Sequence, residues 1–141
     1  MKPLSYRAII VAAVCGAAAA LMVNSVMIGA GFGELNFSWM LGAVCLLVAA
    51  GAVWLGVQVA RYRRIQTREK APHMGPILAA RAVADAQGSI MTGALLTGWC
   101  AAILGYHVAM VSVRGFSVVF WEVLVNCVGS VALLIAGLWA Q

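Results

Sequence analysis

Charged residues divide this chain unevenly: four long stretches carry almost none, and the segments between them carry nearly all. Ala8 to Ala30 holds no charge. At about 1.5 Å of rise per residue a helix there reaches roughly 34 Å, slightly more than the roughly 30 Å hydrocarbon core of a bilayer. Trp39 to Ala60 is a second uncharged run, opened by an aromatic residue and closed by Arg61-Tyr62-Arg63-Arg64. The third, Ala86 to Val113, lies between Asp85 and Arg114, and the fourth, Ser117 to Trp139, contains a single carboxylate, Glu122. A backbone facing lipid must bond to itself, and these runs are too long and apolar for barrel strands. Each therefore predicts a spanning helix. The short connections Gly31 to Ser38 and Arg114 to Phe116 join them in pairs. The expected fold is all-α: one transmembrane domain over residues 1–141, a four-helix bundle made of two antiparallel hairpins.

The only substantial polar segment, Arg61 to Arg81, separates the hairpins. Pro72 and Gly75-Pro76 break any helix continuing from the second span, and Pro76 suits the first position of a new one. The third helix is expected to start early, near Ile77. From there to Val111 it would be roughly 52 Å long, so its first turns must lie in the headgroup layer or tilt strongly. Arg81 and Asp85, four apart on one face, form a candidate interfacial ion pair, either a solvated contact or a functional one.

Composition agrees. Of 141 residues, 65% are apolar and 9% charged, against roughly 45–50% and about 25% in soluble domains. With a mean hydropathy of +1.01, a soluble enzyme, a disordered chain, a coiled coil and a disulfide-stapled module are disfavoured. Net charge is +5, and its distribution sets orientation. Lys2 and Arg7 stand at the amino end, six cations fall between Arg61 and Arg81, and Arg114 alone marks the opposite side. Both termini and the basic loop are thus expected in the cytoplasm. Arg61, Arg63, Arg64, Arg68 and Lys70 are candidate contacts for anionic headgroups rather than for nucleic acid. The amino end, with its basic start and small residues, also has features of a signal peptide but reads as an uncleaved anchor. Val14 makes Ala12-Ala13-Val14-Cys15 a poor lipid-attachment site.

Two kinds of stripe stand out at four-residue spacing. Ser89, Gly93, Thr97, Ala101, Gly105 and Ala109 line the third helix, and Ala12, Gly16, Ala20 and Asn24 repeat the pattern on the first. Small residues so placed let another helix approach closely, where packing replaces the missing hydrophobic drive. The spacing fits a partner helix from this chain or from another. The second kind is polar: Glu122, Asn126 and Ser130 on the fourth helix. Counted from the hairpin tips, Asn24 and His107 reach similar depth. A carboxylate at mid-bilayer costs roughly 2.5–3.5 kcal/mol on insertion scales, less near an interface, so it must face protein or a wet cavity. Glu122, Asn126, His107 and Asn24 are therefore a candidate polar or ion-coupling site. The plainer expectation is that Glu122 leans outward and pairs with Arg114 across the short turn; a wet functional site and a contact with another subunit are the other readings.

Cys15, Cys45, Cys100 and Cys127 fall one to a helix with no CxxC, and read as packing residues rather than as a redox or zinc centre. His107 is the only histidine in a span, which leaves no pair for haem. Gly29, Gly31 and Gly33 read as a hairpin turn, lacking the strand and the Lys-Ser or Lys-Thr of a phosphate loop. Trp39, Trp121, Tyr6, Tyr62 and Trp139 mark helix ends as an interfacial belt. Trp99 is the exception, near mid-helix beside Gly98. No metal and no cofactor is expected.

Ala79-Ala80-Arg81 followed by Ala86, Ser89, Gly93-Ala94-Leu95-Leu96 and Gly98-Trp99 resembles a family of small actinobacterial membrane proteins, domain of unknown function 3180. The likeness extends more loosely over Trp39 to Arg64 and Ala136-Gly137-Leu138-Trp139. Gln87 stands where members often have a basic residue and Cys100 where they have Tyr; members also commonly end in a Trp-Cys-Arg tail. The resemblance implies four spans and a bacterial plasma membrane. Its members are often encoded beside folate-biosynthesis genes, which implies a cellular neighbourhood but neither an activity nor catalytic residues.

The function expected is that of a non-enzymatic accessory or scaffolding subunit, packing against itself or another membrane protein. The alternative is a minimal homo-oligomeric transporter with Glu122 as its proton- or cation-coupling carboxylate. An enzyme acting on lipid through Arg81 and Asp85 has the least support.

Overall fold

Helix ends fall where local chemistry allows them. In the computed structural model, which describes residues 5–32, 38–63, 76–115 and 117–140, Ser5 caps the first helix by accepting from the amide of Ala8 at 3.3 Å. That helix, α1, spans Tyr6–Gly29. It ends in a Schellman turn: Phe32 donates to the carbonyl of Met27 at 3.0 Å and Gly31 to that of Ile28 at 3.1 Å. Gly31 takes φ +77 there, a conformation that costs glycine no side-chain clash. α2 is Met40–Arg63, α3 Pro76–Arg114 and α4 Val118–Ala140. Proline opens α3 because the first helical position needs no N–H. Gly115, with φ +71, turns the chain into α4, whose first turn is capped through the hydroxyl of Ser117.

All four helices are long and apolar enough to cross a bilayer, as a multi-pass membrane protein requires. α3 is the long one, with 39 residues, or about 58 Å. The segment 61–81 is thereby shorter as a loop than its polarity suggests. Arg61 to Arg63 finish α2 and Pro76 to Arg81 begin α3, while 64–75 lie outside the described residues.

α3 packs against α4 and α1, α4 packs against α2 as well, and α2 makes a lesser contact with α3. The second hairpin is thus a packed pair. The arms of the first are not: among the described residues α1 and α2 do not pack on each other, and each lies against a helix of the other hairpin.

Glycines show how closely these helices approach. A Cβ on Gly16 would collide with the carbonyl of Leu95, and one on Gly98 with the carbonyl of Ala13. Cα–Cβ bonds tilt toward a helix's own N-terminus, so these reciprocal clashes place Gly16 opposite Gly98 in helices running the same way. α2 and α4 repeat the arrangement. A Cβ on Gly129 would lie 2.7 Å from the carbonyl oxygen of Gly42, and one on Gly42 2.9 Å from that of Val125. α3 and α4 run antiparallel, with a Cβ on Gly93 2.7 Å from the amide of Leu134 and one on Gly137 2.8 Å from Ile90.

The interior is correspondingly small-sided. Ala12, Ala20, Ala49, Ala52, Ala82, Ala86, Ala94 and Ala136 are buried, whereas Leu47, Trp54 and Val14 face outward. In water this would be inverted; in lipid large apolar chains lose nothing by facing the solvent, and small ones let backbones meet.

Gly16→Ala and Gly98→Ala should each destabilise the bundle by about 1–3 kcal/mol, because the added methyl meets backbone that cannot yield. Gly105→Ala, where a Cβ would meet nothing within 4 Å, should leave stability within about 0.5 kcal/mol. Reversible unfolding in mixed micelles distinguishes them.

Candidate functional site

Polar side chains inside lipid need partners, and among the described residues the buried ones are Asn24, Ser89, His107, Asn126 and Ser130. Helix register sets their heights. Asn24 stands about two turns beyond Gly16, and Tyr106 and His107 stand about two turns beyond Gly98, so these residues come level between the parallel helices α1 and α3. Ala20 shares a core cluster with Ile103 and Val123 one turn below. Along the antiparallel pair α3–α4, Glu122 comes level with Gly105 and Asn126 with Ala101. All four candidate residues therefore occupy roughly 9 Å of height near the hairpin tips.

Asn126 has the clearest geometry. It is 2% exposed, and its Oδ1 accepts from the amide of Gly42 at 2.7 Å while its Nδ2 donates to the carbonyl of Ser38 at 3.4 Å. Gly42 is the third residue of α2, whose amide lacks an acceptor within its own helix. A side chain from α4 thus caps α2 from outside. The glycine pair makes this possible, since Gly42 and Gly129 bring the two backbones close enough for the amide to reach.

Glu122 lies one turn before Asn126 on α4 and is half-buried. Arg114 ends α3, and its side chain, with the expected pairing to Glu122, lies outside the described residues. His107 is buried. Its ring meets that of Tyr106 edge-on with centroids 5.7 Å apart, and it lines a cavity of about 210 Å³ beneath the α3–α4 turn with Met110, Ser117 and Phe120.

The small-residue stripe on α3 divides. Ser89 and Gly93 are buried and Thr97 is half-buried, whereas Ala101, Gly105 and Ala109 are exposed. A helix of 3.6 residues per turn carries a four-residue repeat steadily around its axis, so the stripe enters the bundle at one end and leaves it at the other. On α1 the corresponding set, Ala12, Gly16, Ala20 and Asn24, is the buried face throughout. Arg81 and Asp85 are both exposed, on first turns of α3 that lie beyond the ends of α1 and α4, where solvation competes with pairing. Of the basic residues, Arg61 is exposed and Arg63 ends α2; Arg64, Arg68 and Lys70 lie outside the described residues.

Sequence separation conceals one convergence. Cys100 faces Ser130, with Cys127 and Cys45 beside it, so thiols from three helices approach one another in mid-bundle. All four cysteines are free, and among the described residues no three His, Cys, Asp or Glu side chains are placed to hold a metal ion. The Gly42–Gly129 pair was also not apparent from the sequence; its signal is a glycine in each of two spans, but spacing alone does not say which helices meet.

The family model described as Protein of unknown function (DUF3180) matches residues 9–141, and the chain belongs to that family. No curated protein matches the chain, and no solved structure does.

Replacing Asn126 by Leu keeps its bulk but strips the cap from Gly42. Hydrogen bonds between membrane helices average about 0.6 kcal/mol and reach about 1.7, so Asn126→Leu should cost about 1–2 kcal/mol in micellar unfolding. Amide exchange at Gly42 should rise while that at Gly98 stays unchanged.

Proposed function

We propose that this member of a family of unknown function is a non-enzymatic accessory or scaffolding subunit of a membrane assembly, with both termini on the cytoplasmic side. The observation that carries this reading is the exposed upper course of α3. Ser89 and Gly93 are used within the chain, but Ala101, Gly105 and Ala109 face outward, and around Gly105 a Cβ would meet open space. Lipid tails gain little from such a surface. A further helix gains backbone contact from it, as α1 does at Gly98. The partner is a helix of a larger complex or of a second copy. The orientation is supported by the cations, eight of nine of which lie at the amino end or between the hairpins.

A second reading, a minimal homo-oligomeric transporter coupled through Glu122, draws on the cavity at His107 and the half-buried carboxylate at nearly the same height.

Gentle extraction followed by mass spectrometry of the intact assembly separates the two. The accessory reading expects a defined partner or oligomer that Ala101→Leu/Gly105→Leu disrupts while micellar unfolding stays unchanged. A wild-type monomer, under conditions that preserve known complexes, would refute it. The transporter reading expects proton-linked flux in reconstituted vesicles that Glu122→Gln abolishes; undiminished flux removes Glu122 from the mechanism.

A further inference from the structure

α2 and α4 are packed together along their length, with Cys45, Ala49 and Ala52 against Leu133 and Ala136 in mid-seam, and a groove runs along the outer side of that seam. Gly42 meets Gly129 near the hairpin tips, and near the chain termini a Cβ on Gly56 would lie 3.0 Å from Cβ of Ala140. Between the two glycine contacts, Ala49, Ala50, Ala132 and Ala136 floor this open trough of about 800 Å³, whose sides include Trp54 and Trp139. Both tryptophans are more than half exposed, so they form walls rather than filling the space.

We propose that this trough seats an acyl chain of an anionic phospholipid whose phosphate is held by Arg61. Three features identify the occupant. The α2 wall runs from Leu46 to Val57, about 16 Å along the helix axis, close to the roughly 15 Å of one leaflet's hydrocarbon. The lining is almost wholly apolar, as suits a methylene chain. Finally, the trough-lining residues of α2 recur at three- and four-residue steps through Ala50, Val53, Trp54 and Val57, and the next position on that face is Arg61, which is exposed. A guanidinium one turn beyond the end of an apolar trough offers paired donors to a phosphate where the acyl chain meets its headgroup. The site lies on the face of α2 and α4, away from the exposed course of α3, and does not depend on the accessory reading.

The test uses the full chain in mild detergent, with phosphatidylglycerol and phosphatidylcholine of identical acyl chains added and intact complexes weighed by mass spectrometry. Wild type should retain phosphatidylglycerol in preference to phosphatidylcholine. Ala50→Leu/Ala132→Leu, which fills the trough, should weaken retention of both lipids by at least about tenfold, the effect of losing two methylenes of contact. Arg61→Gln should bring the two lipids to equal retention. Ala50→Leu alone, at an exposed position, serves if the double variant fails to fold and should show the same direction of loss. Equal retention of the two lipids by wild type, undiminished binding by Ala50→Leu, or crosslinking of a second copy through Ala50→Cys would each overturn the proposal.

Discussion

A bundle in lipid cannot be gathered by expulsion of apolar side chains from water, because hydrocarbon surrounds them on either side of the transition. What remains is contact itself, and contact is richest where no side chain keeps two backbones apart. Gly16 against Gly98 and Gly42 against Gly129 are such places. Much else in the molecule follows from them. They fix the parallel pairs α1–α3 and α2–α4, they set the heights at which polar groups meet, and they bring an α2 amide within reach of Asn126. The antiparallel seam through Gly93 and Gly137 then joins one pair to the other.

The elements were legible because a bilayer imposes length and uniform hydropathy on whatever crosses it. Charge-free runs, a proline at the start of α3 and a glycine-rich turn after α1 are local signals, read without knowledge of neighbours. The early start of α3 was legible through Gly75-Pro76, although its first turns mix Arg81 and Asp85 with alanines and resemble a loop in composition. Partnership was the least legible. Short connections place α1 beside α2 in topology, but the close approach is between α1 and α3, and small residues on several helices fit either arrangement.

The polar residues show the same division. That Asn24, His107, Glu122 and Asn126 share a depth follows from counting along helices, and the registers of the three packed pairs give them similar heights. What each side chain bonds to depends on rotation about the helix axis, which a four-residue repeat does not determine over many turns. The stripe on α3 illustrates this: Gly93 is inside and Gly105 outside, though both belong to one repeat. The thiols of Cys45, Cys100 and Cys127 illustrate the converse, being remote along the chain but adjacent across three helices.

Because α1 rests on α3 and α2 on α4, neither helix of the first hairpin meets its main partner until the ribosome has made the second. Gly16 and Gly98 are roughly eighty residues apart, and at about 5–20 residues per second the wait is about 4 to 16 seconds. In the later part of that interval, once α2 has been made to Arg63, both helices of the first hairpin have their glycine faces bare. Biogenesis of this protein is therefore a problem of delayed pairing: the last hairpin to emerge is the template on which the first is placed, and the nascent chain must be kept from foreign helices until then.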